Sequence, residues 1–229
     1  MNEIFAGNSN TRYAGSDAPR VLLQRYAELL SSCVTARLTG TRDAEEIYER
    51  HIMDCMKSLP FLPESGPVID VGSGGGLPGI VWAICRPDLD VTLLDSVGKK
   101  CRAMREIAGE LGLANVKVLC ARSEEAAAEH REEFSLACAR ALANAGVTAE
   151  LLSPLVSVGG TILTFKGPKF AEEVAGITGW RRLGLKAPVE HPYGSEGSSL
   201  RIVTWEKAAP CPRAFPRKPG MAAMKGWWQ

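Results

Sequence analysis

The sequence predicts an α/β fold built on a mostly parallel sheet with helices on both faces. Two observations carry this. Five short apolar runs recur between residues 68 and 165, separated by helical stretches of ten or more residues, which is the spacing of parallel strands joined by crossover helices. The first run, Val68-Ile69-Asp70-Val71, opens into five glycines in eight residues, Gly72 to Gly79. Such a strand, glycine loop and helix start cradle a nucleotide-like ligand, because glycines let the backbone approach it and the helix presents free N–H groups.

Residues 1–63 read as an N-terminal helical extension. Pro19 to Val34 carries Val21, Leu22, Leu29, Leu30 and Val34 among polar residues, an amphipathic helix. Asp43 with Glu46 three residues on forms a capping box for a second helix, Ala44 to Lys57. His51 and Asp54 share a face of that helix and read as a histidine docked on the core and held by its neighbour. Pro60 and Pro63 then separate the extension from the core, residues 64–207.

Within the core the strands are Val68–Val71, Val91–Leu94, Val116–Leu119, Phe134–Ala139 and Gly160–Phe165. They end at or beside Asp70, Asp95, Arg122, Arg140 and Lys166, and ligands of such sheets sit outside the carboxyl ends of the strands. A helix runs from Gly98 to Leu111, with Asp95 or Ser96 as its cap. Trp180–Lys186 and Leu200–Trp205 read as two further strands paired at the sheet edge. The Gly- and Ser-rich link Pro188–Ser199 reads as a loop.

The glycine loop satisfies two patterns. Gly74-x-Gly76-x-x-Gly79 matches a dinucleotide fingerprint, but that register wants its first glycine directly after the strand. Asp70-x-Gly72-x-Gly74-x-Gly76 fits the strand end without strain and resembles the first motif of Rossmann-like S-adenosyl-L-methionine (SAM) methyltransferases. Asp95, about 20 residues past the loop, suits a pair of ribose hydroxyls.

Composition is that of an ordinary globular protein. Seven cysteines without regular spacing are unlike a disulfide framework or a zinc site, so no metal is expected and Cys120 and Cys138 read as small buried groups. No apolar stretch is long enough to span a bilayer and no signal pattern opens the chain. The expectation is a cytoplasmic monomer in a reducing compartment, without membrane or obligate protein partner. Net charge is only +1, yet no acid follows Glu206, while Lys207, Arg213, Arg217, Lys218 and Lys225 are basic. Residues 208–229 therefore read as a basic, Pro-rich tail, held extended by its prolines, with Phe215, Trp227 and Trp228 as stacking groups for RNA and with no part in the cofactor site. A second basic cluster is Lys99, Lys100, Arg102 and Arg105.

The chain resembles a particular family. Glu45-Glu46-Ile47 and His51-Ile52-Met53-Asp54, the loop Asp70 to Ile80 with its Gly-Leu-Pro-Gly ending, Leu94-Asp95-Ser96, Ala121-Arg122-Ser123-Glu124-Glu125, Ala139-Arg140-Ala141, Phe165-Lys166-Gly167 and Pro216-Arg217-Lys218-Pro219-Gly220 are similar to the bacterial small-subunit ribosomal RNA guanine-N7 methyltransferases, the RsmG or GidB family. The resemblance implies a class I SAM methyltransferase sheet with an antiparallel edge strand. It implies SAM as cofactor, held by Asp70, Gly72, Ser73, Gly74, Gly76, Leu77, Asp95, Ser96, Arg122, Ser123, Glu124 and Arg140. It also implies 16S rRNA of the small ribosomal subunit as substrate, with a guanine of the 530 loop as target.

Guanine N7 carries a free lone pair at neutral pH, so its methylation needs no general base. Orientation alone supplies about 7–11 kcal/mol of barrier lowering. Arg or Lys is the usual partner of the O6/N7 edge, and Arg140, Lys166 and Arg201 are the candidates for placing it. Two alternatives stand at this point. One is a nicotinamide-dependent oxidoreductase using the second glycine register, and the other is a non-catalytic SAM- and RNA-binding assembly factor on the same fold.

Overall fold

A computed structural model describes residues 17–195 and 197–228. Seven strands form one sheet in the order β3-β2-β1-β4-β5-β7-β6. They are β1 (Pro67–Val71), β2 (Asp90–Asp95), β3 (Val116–Cys120), β4 (Phe134–Arg140), β5 (Val156–Lys166), β6 (Val189–Pro192) and β7 (Arg201–Glu206). The first five run parallel, with β1 between β2 and β4. Strand β7 returns antiparallel beside β5, with Lys166 opposite Arg201, and β6 pairs outside it. Strand order reverses at β1 and β4, and the crevice that such a reversal opens lies at the carboxyl ends.

Helices cover both faces. On one lie α1 (Ala18–Ser32), the continuous run α2 (Ala44–Ile47), a π-helical turn (Tyr48–Ile52) and α3 (Met53–Met56), then α4 (Gly79–Cys85) and α5 (Gly98–Glu110). Their apolar stripes bury Leu23, Tyr26, Ile47, Ile52, Trp82 and Met104. On the other lie α6 (Ser123–Glu129), α7 (Ala145–Leu152) and α8 (Phe170–Val174), followed late in the chain by the short α9 (Met221–Met224). That face is filled by Leu152, Phe170, Trp180, Trp205 and Trp227. Among the described residues no helix is long and apolar enough to cross a membrane.

Several expectations are corrected. The buried face of α1 is Leu23, Tyr26, Ala27, Leu29 and Leu30, whereas Val21 and Val34 are exposed. Asp43 caps α2 by accepting from Glu45 and Glu46 N–H groups, but its own N–H goes to Thr41, so only half of the capping box forms. Trp180–Leu183 is a turn of 3-10 helix, not a strand, stopped by Gly184 in the left-handed region; only Leu185 bridges to Lys207. The outermost strand comes instead from Val189–Pro192, inside the segment expected to be a loop. Cys138 is buried, but Cys120 is exposed.

The tail departs furthest from expectation. It folds back over α7 and joins the core. Arg131 donates to the carbonyls of Cys211, Pro212 and Phe215. Arg217 forks onto Glu150 of α7 at 2.8 and 2.6 Å. Trp227 is 3% exposed, donates to the Gly146 carbonyl at 2.8 Å and packs edge-on against Trp180. Trp228 covers Gly146 so closely that a Cβ there would collide with it. Arg213, Lys218 and Lys225 remain exposed.

Candidate active site

The glycine loop is tied down before any ligand arrives. Gly72 and Ser73 N–H groups donate to the Leu94 carbonyl, joining the loop to β2. Tyr26 of α1 donates its hydroxyl to the Gly75 carbonyl at 2.8 Å, so the N-terminal extension clamps the loop from behind. Gly72 and Gly74 hold φ of +70° and +61°, which side chains rarely adopt. At Gly74 a Cβ would have, among the described residues, only the Gly72 carbonyl within 4 Å, so the loop offers open space there.

Asp70 is fully buried at the end of β1. Its Oδ2 accepts from the Ser73 hydroxyl at 2.7 Å and from Gly79 N–H at 2.9 Å, fixing both the loop and the start of α4. Its Oδ1 has no partner among the described residues. Burial pushes its carboxyl up from 3.8 to about 6, against the pull of those hydrogen bonds. A buried, unpaired carboxylate oxygen beside a glycine loop is what an ammonium group would satisfy.

Asp95 ends β2, and its two oxygens hold two elements. Oδ2 accepts from Gly74 N–H at 3.0 Å, and Oδ1 accepts from Val97 N–H at 2.9 Å at the start of α5. It therefore braces the loop and the helix start together, and each oxygen keeps a lone pair for a ribose hydroxyl. Beside it opens a cavity of about 420 Å3 at the carboxyl ends of β1 to β4, the size of a small-ligand site. Gly72, Asp95 and Ser96 form one wall, and Arg122, Ser123 and Glu124 form another. Asp70, Ser73, Gly74, Gly76 and Leu77 do not line this cavity; they shape the loop next to it. The residues present fit an S-adenosyl group, with the acid of β2 at the ribose and the loop and Asp70 toward the amino acid part.

Arg140 closes β4 beside this loop. Its guanidinium donates to Cys55 Sγ and to His51 Nδ1, each at 3.2 Å, and stands 3.4 Å from Asp54 Oδ2. It also stacks over the Phe165 ring, 5.8 Å from the centroid. Asp54 in turn accepts from the Tyr193 hydroxyl at 2.6 Å. Burial, then the charge of Arg140, hold His51 below its ordinary value, so the ring is neutral and accepts from the guanidinium at neutral pH. Burial pushes the Cys55 thiol up to about 12 and keeps it protonated. His51 and Asp54, expected to hold each other, are thus joined through Arg140. Tyr193 was missed because it stands in the segment expected to be a loop, where a lone aromatic is the only cue.

The other two cations are engaged elsewhere. Lys166 donates to the Ala143 carbonyl at 2.8 Å and pairs with Glu173 at 2.7 Å. Glu173 also accepts from Ala145 N–H at 2.6 Å, so Lys166 secures the loop between β4 and α7. That loop includes Ala141 at φ +57°, a strained conformation beside the cavity it helps to line. Arg201 pairs with Glu190 at 2.6 Å across β6 and β7.

Asp70 yields a prediction with a defined sign. Its folded value lies above its unfolded one, so its contribution to stability is full below about pH 4 and is lost as pH rises through 6. Asp70→Asn removes that penalty. It should raise the stability of the ligand-free protein at pH 8 by up to about 3 kcal/mol, a gain that disappears near pH 4, while weakening cofactor binding. Thermal unfolding at both pH values, with calorimetry of the cofactor, checks this; equal stability of variant and wild type at pH 8 would refute it.

This sheet order, glycine loop and acid-ended β2 define a Rossmann-like SAM-dependent methyltransferase. The fold is shared with a predicted O-methyltransferase from Agrobacterium tumefaciens (TM-score 0.56, 19% identity, 69% of this chain and 81% of that one). It is shared too with a mutant of MtNAS solved with S-adenosylmethionine (TM-score 0.55, 14% identity, 91% and 88%). The family model GidB, described as rRNA small subunit methyltransferase G, matches residues 20–179, and the chain belongs to that family. Proteins named ribosomal RNA small subunit methyltransferase G are similar along most of its length. The one from Rubrobacter xylanophilus is 38% identical over 89% of this chain and 82% of its own. The one from Petrotoga mobilis is 32% identical over 90% and 94%. Membership in this family sets aside the nicotinamide use of the glycine loop.

Proposed function

We propose that this protein methylates N7 of a guanine in the 530 loop of 16S rRNA, within the small ribosomal subunit. The observation that carries the proposal is the Arg140 cluster: a fixed, charge-compensated guanidinium at the end of β4, beside the cofactor loop. When bound, SAM supplies a methyl group activated by its sulfonium. N7 must keep its lone pair free to attack, so hydrogen bonding to the base goes to O6, where an arginine donor fits. The base gains positive charge as the methyl arrives, and a bare guanidinium would oppose that. Asp54 offsets it, and Tyr193 holds Asp54 in place. No group here has to take a proton from the base. The target must be splayed out of its stack to reach the site, which a loop of RNA allows. Exposed Lys99, Arg102, Arg122 and Lys218 supply phosphate contacts.

The test is methyl transfer from labelled SAM to purified small subunits, with the modified nucleoside mapped by mass spectrometry. One 7-methylguanosine in the 530 loop is expected, at a single-turnover rate that is flat from pH 7 to pH 9. A methyl group on another atom or another nucleotide would overturn the assignment, and a bell-shaped rate profile would reveal an essential acid or base.

A further inference from the structure

We propose that the C-terminal segment Gly220–Ala223 forms the outer wall of the cofactor site on its adenosine side, so that cofactor retention depends on the docked tail. The proposal rests on the assignment of the cavity to SAM. Gly220, Ala222 and Ala223 line the same cavity as Asp95 and the Arg122–Glu124 turn. The acid at the end of β2 marks the ribose, so the segment faces the nucleoside. The Arg140 cluster, on the side expected to receive the substrate base, does not line this cavity.

The segment is held across the opening at both ends. Upstream, Arg217 is anchored on Glu150, whose side chain is fully buried in α7. Downstream, Trp227 is anchored on the Gly146 carbonyl. The Arg217 guanidinium also donates to the Lys225 carbonyl at 2.6 Å, closing residues 217–225 into a loop. Between these anchors Gly220 N–H donates to Glu124 Oε1 at 3.1 Å, which joins the strap to the opposite wall of the cavity. The three residues that face the opening are glycine and alanines, leaving room for a flat ring to lie against backbone. A tail that only solvated the surface would need neither these anchors nor small residues at the three positions that meet the cavity.

Calorimetric titration of the full-length protein with S-adenosylhomocysteine, which carries the same adenosine, tests this. Ala223→Trp should weaken binding at least about tenfold without lowering the melting temperature of the ligand-free protein. Met224→Trp, at an exposed position outside the cavity, should leave affinity unchanged. In the wild-type protein, S-adenosylhomocysteine should slow tryptic cleavage after Lys225 several-fold, and this measurement decides the matter if Ala223→Trp does not fold. Normal affinity in a folded Ala223→Trp, or cleavage at the same rate with and without ligand, overturns the tail assignment alone. Failure of the wild-type protein to bind S-adenosylhomocysteine at all would overturn the cofactor assignment and this proposal with it.

Discussion

Arg217→Ala is expected to destabilise the folded protein by about 3 kcal/mol, the low end of the loss when one partner of a buried ion pair is removed. Glu150 is fully buried in α7, while the Arg217 side chain is 22% exposed. Its two oxygens accept from Arg217 Nε at 2.8 Å and Nη2 at 2.6 Å, and Oε1 also accepts from the Arg217 backbone N–H. Alanine leaves that carboxylate in an apolar helix with one backbone donor. The double variant Arg217→Met with Glu150→Leu removes both charges and should recover most of the loss, because a well-packed apolar pair replaces a buried salt bridge at little cost. Urea unfolding of the wild type, the two single variants and the double variant measures the coupling. A loss under about 1 kcal/mol for Arg217→Ala would mean that the pair behaves as a surface contact.

That ion pair shows where the sequence was legible and where it was not. The five parallel strands could be read because each is an apolar run, β-branched in all but β4, bounded by turn residues or helix starts, with an acid next to the end of β1 and at the end of β2. Asp70 and Asp95 were legible for the same reason, since a parallel sheet places strand ends together. Strand β6 was not, because Val189-Glu190-His191-Pro192 holds a single strong strand former and its pairing with β7 is a tertiary event. Trp180–Leu183 misled in the other direction: its apolar residues suit a strand, yet Trp180 and Leu183 are buried three positions apart, the period of a 3-10 turn, and Gly184 then turns the chain. The tail's composition, prolines and cations, is common to extended arms and to folded straps. Its partner was nevertheless visible in the sequence. Glu150 is the one charge in Ala145-Gly146-Val147-Thr148-Ala149-Glu150-Leu151-Leu152, and an acid buried in so apolar a helix requires a cation from elsewhere in the chain. Which cation could not be read locally, because Arg217 lies 67 positions away. The Lys166 partner was not legible, because strand-end position says nothing of a partner on the next helix, here Glu173.

Arg140→Ala is expected to slow single-turnover methyl transfer by about 10²–10³, the scale of removing one preorganised donor from a reacting group, while S-adenosylhomocysteine affinity changes by less than about tenfold. Arg140→Lys should not restore the rate. The guanidinium meets Cys55 through Nη1 and both His51 and Asp54 through Nη2 while lying over Phe165, and an ammonium can reproduce neither the fork nor the planar stacking. Tyr193→Phe removes only the hydroxyl that steadies Asp54, a loss of about 1 kcal/mol. It should lower kcat several-fold with little change in KM, because it acts through Arg140 and does not touch the base. Lys166→Met gives the contrasting outcome: it should lower stability by freeing Glu173 and the Ala143 carbonyl, with the rate per folded molecule largely retained. These four variants separate donation to the substrate from support of the fold. If Arg140→Lys transfers methyl groups at the wild-type rate, charge alone suffices and the fork geometry at β4 has no role in placing the base. If Lys166→Met, fully folded, loses as much rate as Arg140→Ala, the lysine leaves Glu173 to meet the RNA, and the guanine is held from β5 as well as from β4.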